Sequence, residues 1–599
     1  MAWPLTIKPL LSNSFLMTKT FYARHKSFLS SRRITLLSVL FFVLALVLIF
    51  KLFYLQVLNH KYYENLAANR YRDTEKIMPV RGNIYADNFK PNAVGESRSV
   101  LATNQKFYLL YGVPNLIIDA TSTVEQISQI MPLLAGEKKQ MIERLNKKDP
   151  YEPLKHFVSL AQKEELLKKK ITGLGFQEEE KRIYPQDNTF SHLLGFLSYQ
   201  EEDPLGQYGL EEYFNDFLVG QGGLIATEKD PKGRLISWQE INFSEIVDGG
   251  SLVLTIEPTV QWQACNILAT WVKKMAAADG TLIIVEPYQG KIIALCNQPD
   301  FDPNNYGQVS NIDVYNNKAI SEPYEPGSVF KTITMAAAIE SGQVTPETTY
   351  TDLGEIKFGP DVIRNAKNKK YGLVNMTQVL DNSINTGIIF AALKTGHDQF
   401  KNFVEKFGFG KKTGISLPNE NAGNINSLKN KKDIYTATAA YGQGISVTPL
   451  QMVMSYAAIV NDGILMRPQI IQEKNYPGGR QETFVPEEIG RVISSKTANI
   501  IKAMLVSVVK NGHSQGAAVS GYYVGGKTGT ANIPAAGGGY SEETIHTFVG
   551  FAPLEKPLFV ALIKISKPQN SVFAEGSVVP AFAELAKFLL NYYQVPPEY

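Results

Sequence analysis

The stretch from Ile34 to Phe50 carries no charge and is dominated by Leu, Val and Phe, and beyond Lys51 the apolar character resumes through Leu58. About 20 apolar residues cross a bilayer core as a helix. Lys51 lies near the far end, where its stem can snorkel. The pattern predicts one uncleaved membrane anchor over residues 34–58. A cleaved signal peptide is the competing reading, but its apolar core runs to only about 7–15 residues, with small residues close behind. No second such run follows. From 59 to about 250, short strand-like runs mix with polar helices. Val100 to Val113 reads as strand and ends at Pro114. Thr123 to Leu134 and Glu137 to Lys148 read as helices with a charged outer face. Gly206 to Glu211 and Gly220 to Gly223 punctuate the stretch as turns.

Past Asp248-Gly249-Gly250 the pattern changes. Ser251 to Ile256 reads as a strand and Gln261 to Met275 as an amphipathic helix. Thr281 to Val285 and Lys291 to Leu295 flank Pro287-Tyr288-Gln289-Gly290 as a β-hairpin. Residues 326–510 are mostly helical. Three strands then follow, Gly526 to Asn532, Thr547 to Phe551 and Leu558 to Ile565, and a helix from Pro580 to about Tyr592 closes the chain. Two strands before a helical block and three after it predict an α+β domain. Its five-stranded antiparallel sheet is assembled from both ends of the segment and flanked by helices. Four segments result: a tail over 1–33, the anchor over 34–58, an elongated pedestal over 59–250 and a second domain over 251–599.

Composition adds exclusions. The 599 residues are 44% hydrophobic and 20% charged, which is ordinary for a globular chain. With 60 basic and 57 acidic residues, the net balance argues against a dedicated nucleic-acid binder. Six of the basic residues, Lys8, Lys19, Arg24, Lys26, Arg32 and Arg33, precede the anchor, where no acidic residue occurs. The basic side stays in the cytoplasm, so everything after residue 58 is expected outside it, on a single-pass protein of the cytoplasmic membrane. Two cysteines exclude a disulfide-built scaffold and a Cys-rich zinc site. Cys265 and Cys296 lie in apolar contexts, one on a helix and one on a strand, and read as buried free thiols rather than a pair.

Candidate chemistry begins at Pro326-Gly327-Ser328-Val329-Phe330-Lys331, which opens an apolar helix. Ser328 at a helix N-terminus meets free N–H groups and the positive dipole end, both suited to a developing oxyanion. Lys331 lies one turn on, on the same face. A serine needs a base, and a lysine serves when burial and neighbours leave it neutral. Alone, S-x-x-K is common by chance. Two further elements follow in order: Ser383-Ile384-Asn385 gives S-x-N beside a helical turn, and Lys527-Thr528-Gly529 gives K-T-G on a strand. Three such motifs in order, each on its expected element, form a specific signal for a serine acyltransferase.

On these residues the chain resembles the class B penicillin-binding proteins, the membrane-anchored peptidoglycan D,D-transpeptidases. The resemblance extends over nearly the whole chain. It includes Pro79 to Ile84, Arg182 to Pro185, His192 to Phe196 and Gly209 to Glu211 in the pedestal, and Tyr324 to Lys331, Gly442 to Ile445, Thr448 to Gln451, Lys527 to Ala531 and Phe548 to Pro553 beyond it. One departure is Ala86-Asp87-Asn88 and the polar insertion up to Ser99. Asn382 to Gly387 resembles the second motif of the division type, in contrast to the elongation type.

The resemblance implies that Ser328 attacks the carbonyl between the terminal D-alanines of a stem peptide and that Lys331 takes its proton. Ser383 relays a proton to the leaving D-alanine, while Asn385 holds a donor amide and orients Lys331. Lys527 supports the electrostatics, and Thr528 and Thr530 bind the terminal carboxylate across Gly529. The N–H groups of Ser328 and Thr530 form the oxyanion hole. It further implies β-lactams as covalent inhibitors, the membrane as a partner and a polytopic glycan polymerase beside it, since residues 57–250 lack the acidic signature of a glycosyltransferase. No cofactor is expected.

The seven histidines show no metal-ligand spacing, so no metal is expected either. His546 reads as a rim residue, Ala535 to Gly539 as a mobile loop beside the site, and the Lys-rich stretches 167–170 and 429–432 as solvated surface. A D,D-carboxypeptidase, a β-lactamase, a β-lactam receptor and a non-catalytic scaffold are the competing functions. The large pedestal behind the anchor weighs against a free β-lactamase, the lack of further spans against a receptor and the intact motifs against a scaffold.

Overall fold

The computed structural model describes residues 31–61, 72–89, 97–199, 204–229, 235–238, 246–535 and 537–599. The expected tail to residue 30, most of the polar insertion before Ser99 and Ala536 of the glycine-rich loop lie outside the described residues. Two compact units result: residues 1–77 with 224–244, and residues 78–223 with 245–599. The first holds the helix Ser31–Phe53, extended by a π-helical turn over Tyr54–Leu58. Its span Ile34–Leu58 is long and apolar enough to cross a membrane, and none of it is buried by protein. A lipid-exposed helix satisfies its own backbone hydrogen bonds, which is what a bilayer core demands. The strand Arg72–Ile77 pairs within a three-stranded sheet with Gly223–Lys229 and Leu235–Trp238.

In the second unit, the long strand Arg98–Gly112 forms the spine of a seven-stranded sheet. The strand Ser251–Leu254 runs parallel to Ile84–Asp87 in that sheet and antiparallel to Ile471–Asn475. The start of the catalytic segment and a strand from its middle thus complete the pedestal sheet. Three of the pedestal motifs meet in one buried ion cluster. Arg81 Nε and Arg182 Nε each donate to Glu211 at 2.7 Å, and Arg182 Nη1 donates to the Gly82 carbonyl at 2.8 Å. A carboxylate with no exposure is tolerable only because it is paired and hydrogen-bonded on both oxygens.

The five-stranded sheet expected from the alternation of elements is present. Its spatial order is Lys291–Gln298, Asp279–Glu286, Phe559–Ser566, Tyr540–Ala552 and Gly525–Pro534, every pair antiparallel. Its central strands are continuous apolar runs because both faces are covered. Leu282, Ile284, Ile563 and Ile565 face a core shared with the helices Pro258–Lys274 and Val578–Tyr592. Ile283, Val285, Val549 and Leu562 face the helical block that holds Phe330, Ile333 and Tyr456. The K-T-G strand therefore lies at the sheet edge, beside that block.

Two expectations are corrected. Cys265 and Cys296 form a disulfide. The helix Pro258–Lys274 lies across the strand Lys291–Gln298 and brings the two Cα atoms to 5.4 Å, a separation suited to bridging. His546 is no rim residue: it is fully buried mid-strand, its Nδ1 2.7 Å from the Ser577 hydroxyl, and burial pushes its pKa down to about 4. The Lys-rich stretches are solvent-exposed, as expected.

Candidate active site

Ser328 lies in a tight 3-10 turn, Gly327–Phe330, that feeds the helix Lys331–Glu340. Residues three apart nearly eclipse in such a turn, so Ser328 and Lys331 share one face. Two close approaches fix the turn. Gly327 has φ +56° and donates its N–H to the Gly442 carbonyl at 3.0 Å, and a Cβ on Gly442 would sit 2.2 Å from the Gly327 oxygen. Across the other side, a Cβ on Gly529 would sit 2.9 Å from the Pro326 oxygen. The K-T-G strand can lie against the nucleophile turn only because that position is glycine.

Lys331 is fully buried at the centre. Its Nζ donates to the Ser383 carbonyl at 2.6 Å and to Asn385 Oδ1 at 2.7 Å, and lies 3.2 Å from Ser383 Oγ. Both short partners are acceptors only, so a neutral amine spends its two N–H bonds on them and keeps its lone pair for a hydroxyl. Burial, with the charge of Lys527 added, pushes its pKa well below the ordinary lysine value. Lys527 is also buried, and its Nζ reaches Ser383 Oγ at 3.1 Å and the Thr528 carbonyl at 3.2 Å. Burial pulls it down to about 8, against the opposing pull of Glu575 and Asp381.

Ser383 lies between the helices Met376–Asp381 and Asn385–Thr395 with φ +55°, a strained conformation for a non-glycine residue. Asn385 Nδ2 donates to the Arg364 carbonyl at 2.8 Å, which leaves its Oδ1 for Lys331. The structure thus brings Lys331, Ser383, Asn385 and Lys527 into one hydrogen-bonded cluster. Ser328, Ser383, Asn385, Thr528 and Thr530 line a cleft of about 640 Å³. Thr530 Oγ1 accepts the Ala574 N–H at 3.2 Å. Gly529 lies on the same strand, packed on the nucleophile turn.

Several supporting residues were not singled out in the sequence. Tyr456, in the mostly apolar helix Pro449–Val460, donates its hydroxyl to the Val329 carbonyl at 2.7 Å and lies 2.7 Å from Thr332 Oγ1. Glu325 accepts from the Gly444 N–H at 3.0 Å and from the Tyr540 hydroxyl at 2.9 Å, which ties the Tyr540 end of the sheet hairpin to the nucleophile segment. Asp352, Asn365 and Thr386 form a buried network directly behind Asn385. Glu325 and Thr386 lie inside the stretches Tyr324 to Lys331 and Asn382 to Gly387, whereas Tyr456, Asp352 and Asn365 belong to none of the motifs. Among the described residues no cluster of His, Cys, Asp and Glu could hold a metal ion.

Residues 280–587 match the penicillin binding protein transpeptidase domain, and residues 76–254 match the penicillin-binding protein dimerisation domain. The chain is 30% identical over 552 residues to stage V sporulation protein D of Bacillus subtilis, covering 91% of this chain and 83% of that one. It is 26% identical over 583 residues to the probable peptidoglycan D,D-transpeptidase PenA of Neisseria gonorrhoeae, covering 96% and 94%. Among solved structures it is similar in fold to penicillin binding protein 2X from Streptococcus thermophilus, with a TM-score of 0.72 at 22% identity over 87% of this chain and 80% of that one.

Proposed function

The chain belongs to the class B penicillin-binding proteins and is a serine-type peptidoglycan D,D-transpeptidase, and we propose that Ser328 is its nucleophile and Lys331 the base. The observation that carries this is the buried lysine pair around Ser383, with Ser328 opening to the cleft beside it.

In this reading the Ser328 hydroxyl gives its proton to neutral Lys331 as Oγ attacks the carbonyl joining the two terminal D-alanines. The N–H groups of Ser328 and Thr530 stabilise the tetrahedral oxyanion. Collapse breaks the peptide bond, and Ser383 passes a proton to the departing D-alanine amine. Lys527 keeps Ser383 oriented and, with the Thr528 and Thr530 hydroxyls, attracts the terminal carboxylate. Asn385 holds the donor's amide and positions Lys331. The amine of a second stem peptide then attacks the ester and restores Ser328. A β-lactam enters as the donor does, but its leaving group stays attached, so the ester persists.

The proposed division of labour follows the sequence segments: a cytoplasmic tail over 1–33, a span over 34–58, a pedestal over 59–250 and the transpeptidase domain over 251–599. A membrane-confined enzyme gains effective concentration near a membrane-bound polymerase, so we place a polytopic glycan polymerase beside it. Septal wall synthesis is the favoured setting, supported by the second motif from Asn382 to Gly387.

Labelling with a fluorescent penicillin and peptide mapping of the adduct test the assignment. The adduct is expected on Ser328 and absent from folded Ser328→Ala protein; labelling that survives in that variant overturns it.

A further inference from the structure

One wall of the cleft has a feature that the acylation chemistry does not use. Residues Ala366, Lys367, Lys369 and Tyr371 line it, immediately after the Arg364 carbonyl that fixes Asn385. Lys367 and Asn368 are consecutive non-glycine residues in the left-handed region, at φ +55° and +52°. Such strain persists only where the surroundings over-determine it, and it gathers at ligand clamps. Here the surroundings are visible. Asn365 Nδ2 donates to both oxygens of Asp352 and to the Lys369 carbonyl at 3.1 Å, while its Oδ1 accepts the Thr386 N–H. Asp352 also accepts from the Tyr371 N–H at 2.7 Å and from the Thr386 hydroxyl. Both ends of the lysine loop are thus tied to the helix that carries Asn385.

The loop presents two cations to the cleft. The Lys367 ammonium sits 4.4 Å over the ring of Phe573, which also lines the cleft. Among the described residues, neither Lys367 nor Lys369 has a carboxylate within ion-pair distance. The cleft's own carboxylate, Glu575, acts on Lys527 and His513. A strained loop that holds two ammonium groups over aromatic rings, with no carboxylate partner among the described residues, beside the donor amide site fits an anion arriving with the donor.

We infer that Lys367 and Lys369 read a free carboxylate on the part of the donor stem peptide that precedes its terminal D-alanines. This rests on the transpeptidase reading above, because Asn385 locates the donor. A stem peptide whose acidic groups are amidated is then the poorer donor.

The side chain of a penicillin occupies the same place as that part of the peptide. Two penicillins of one core, with a carboxylate or the matching carboxamide on the side chain, therefore test the inference on the full-length protein. The readout is the ratio of their acylation rate constants at Ser328. Two partly exposed charge pairs predict a ratio of roughly threefold to tenfold in favour of the carboxylate at low salt, falling toward one in high salt. The ratio is expected to fall toward one in Lys367→Asn/Lys369→Gln, where asparagine tolerates the left-handed backbone, and to persist in Lys369→Arg. A ratio near one in the unaltered protein, or one that survives the double substitution, overturns the inference while acylation itself stands. Absence of acylation by both probes overturns the transpeptidase reading instead.

Discussion

Lys331 and Lys527 share a single oxygen, the Ser383 hydroxyl, at 3.2 and 3.1 Å. Two buried ammonium groups on one acceptor repel each other, and neither is well hydrated. The arrangement favours loss of a proton from Lys331, whose pKa is lowered first by burial and then by Lys527. The competent form is the neutral amine, so its fraction grows as pH rises through the depressed value. The acylation rate is expected to rise with pH at values well below the ordinary lysine pKa of 10.5, and to fall by about 10²–10⁴-fold in Lys331→Ala. Stopped-flow acylation by a penicillin checks both; a flat profile across that range would sink a titrating lysine base.

Tyr456 clamps the nucleophile turn through the Val329 carbonyl. Tyr456→Phe leaves that buried carbonyl without its side-chain donor, at a cost of about 1–3 kcal/mol. The acylation rate is expected to drop several-fold while the pH profile keeps its shape, because Lys331 is untouched. A shifted pH profile would count against a purely positional role.

The Cys265–Cys296 bridge closes a loop of sequence separation 31 and pins a helix to the edge strand of the five-stranded sheet. A loop of that size corresponds to about 2–4 kcal/mol. Reduction, or Cys265→Ser with Cys296→Ser, is expected to lower the melting temperature of the catalytic unit by several degrees. Scanning calorimetry with and without reductant measures this, and identical melting in both would rule out a stabilising bridge.

Glu211 is buried between Arg81 and Arg182. Burial alone would raise its carboxyl, but the two guanidinium groups outweigh it and hold the pKa below the ordinary value of 4.5. The folded state thus binds its proton less readily than the unfolded state. The resulting stability is fully present above the unfolded value and is lost as pH falls through the folded one. Glu211→Gln is expected to cost about 3–5 kcal/mol near neutrality and to flatten the acid limb of the stability profile below about pH 4. An acid limb unchanged in the variant would place that linkage elsewhere.

The anchor holds none of the acylation chemistry, since every motif residue lies beyond residue 320. Protein beginning at residue 59 is expected to be soluble and acylated at an undiminished rate, yet unable to support septal wall synthesis in cells. Complementation by the soluble form would show that tethering is dispensable; folded protein that resists acylation would assign chemistry to the anchor.

What the sequence determined by itself was local. The span Ile34–Leu58 is a matter of length and apolarity, and the continuous runs at 281–285 and 558–565 mark strands covered on both faces. The i, i+3 spacing of Ser328 and Lys331 is a property of one helical turn. The three ordered motifs then named the chemistry.

Tertiary structure decided what depends on distant residues. Ser251–Leu254 reads as a strand, but its partners at Ile84 and Asn475 are set by a sheet that three separated segments build. The pairing of the cysteines depends on how a helix crosses a strand, and apolar context alone pointed to free thiols. His546 looked peripheral because it opens an apolar run, yet the strand extends back to Tyr540 and places it mid-sheet, buried against Ser577. Asn385 is aimed by the Arg364 carbonyl, 21 positions away in the chain, and its neighbour Thr386 is held by Asp352. Hydrophobic periodicity records which face of an element is covered, not which element covers it. The lysine pair, the disulfide and the cleft wall all depend on that second fact.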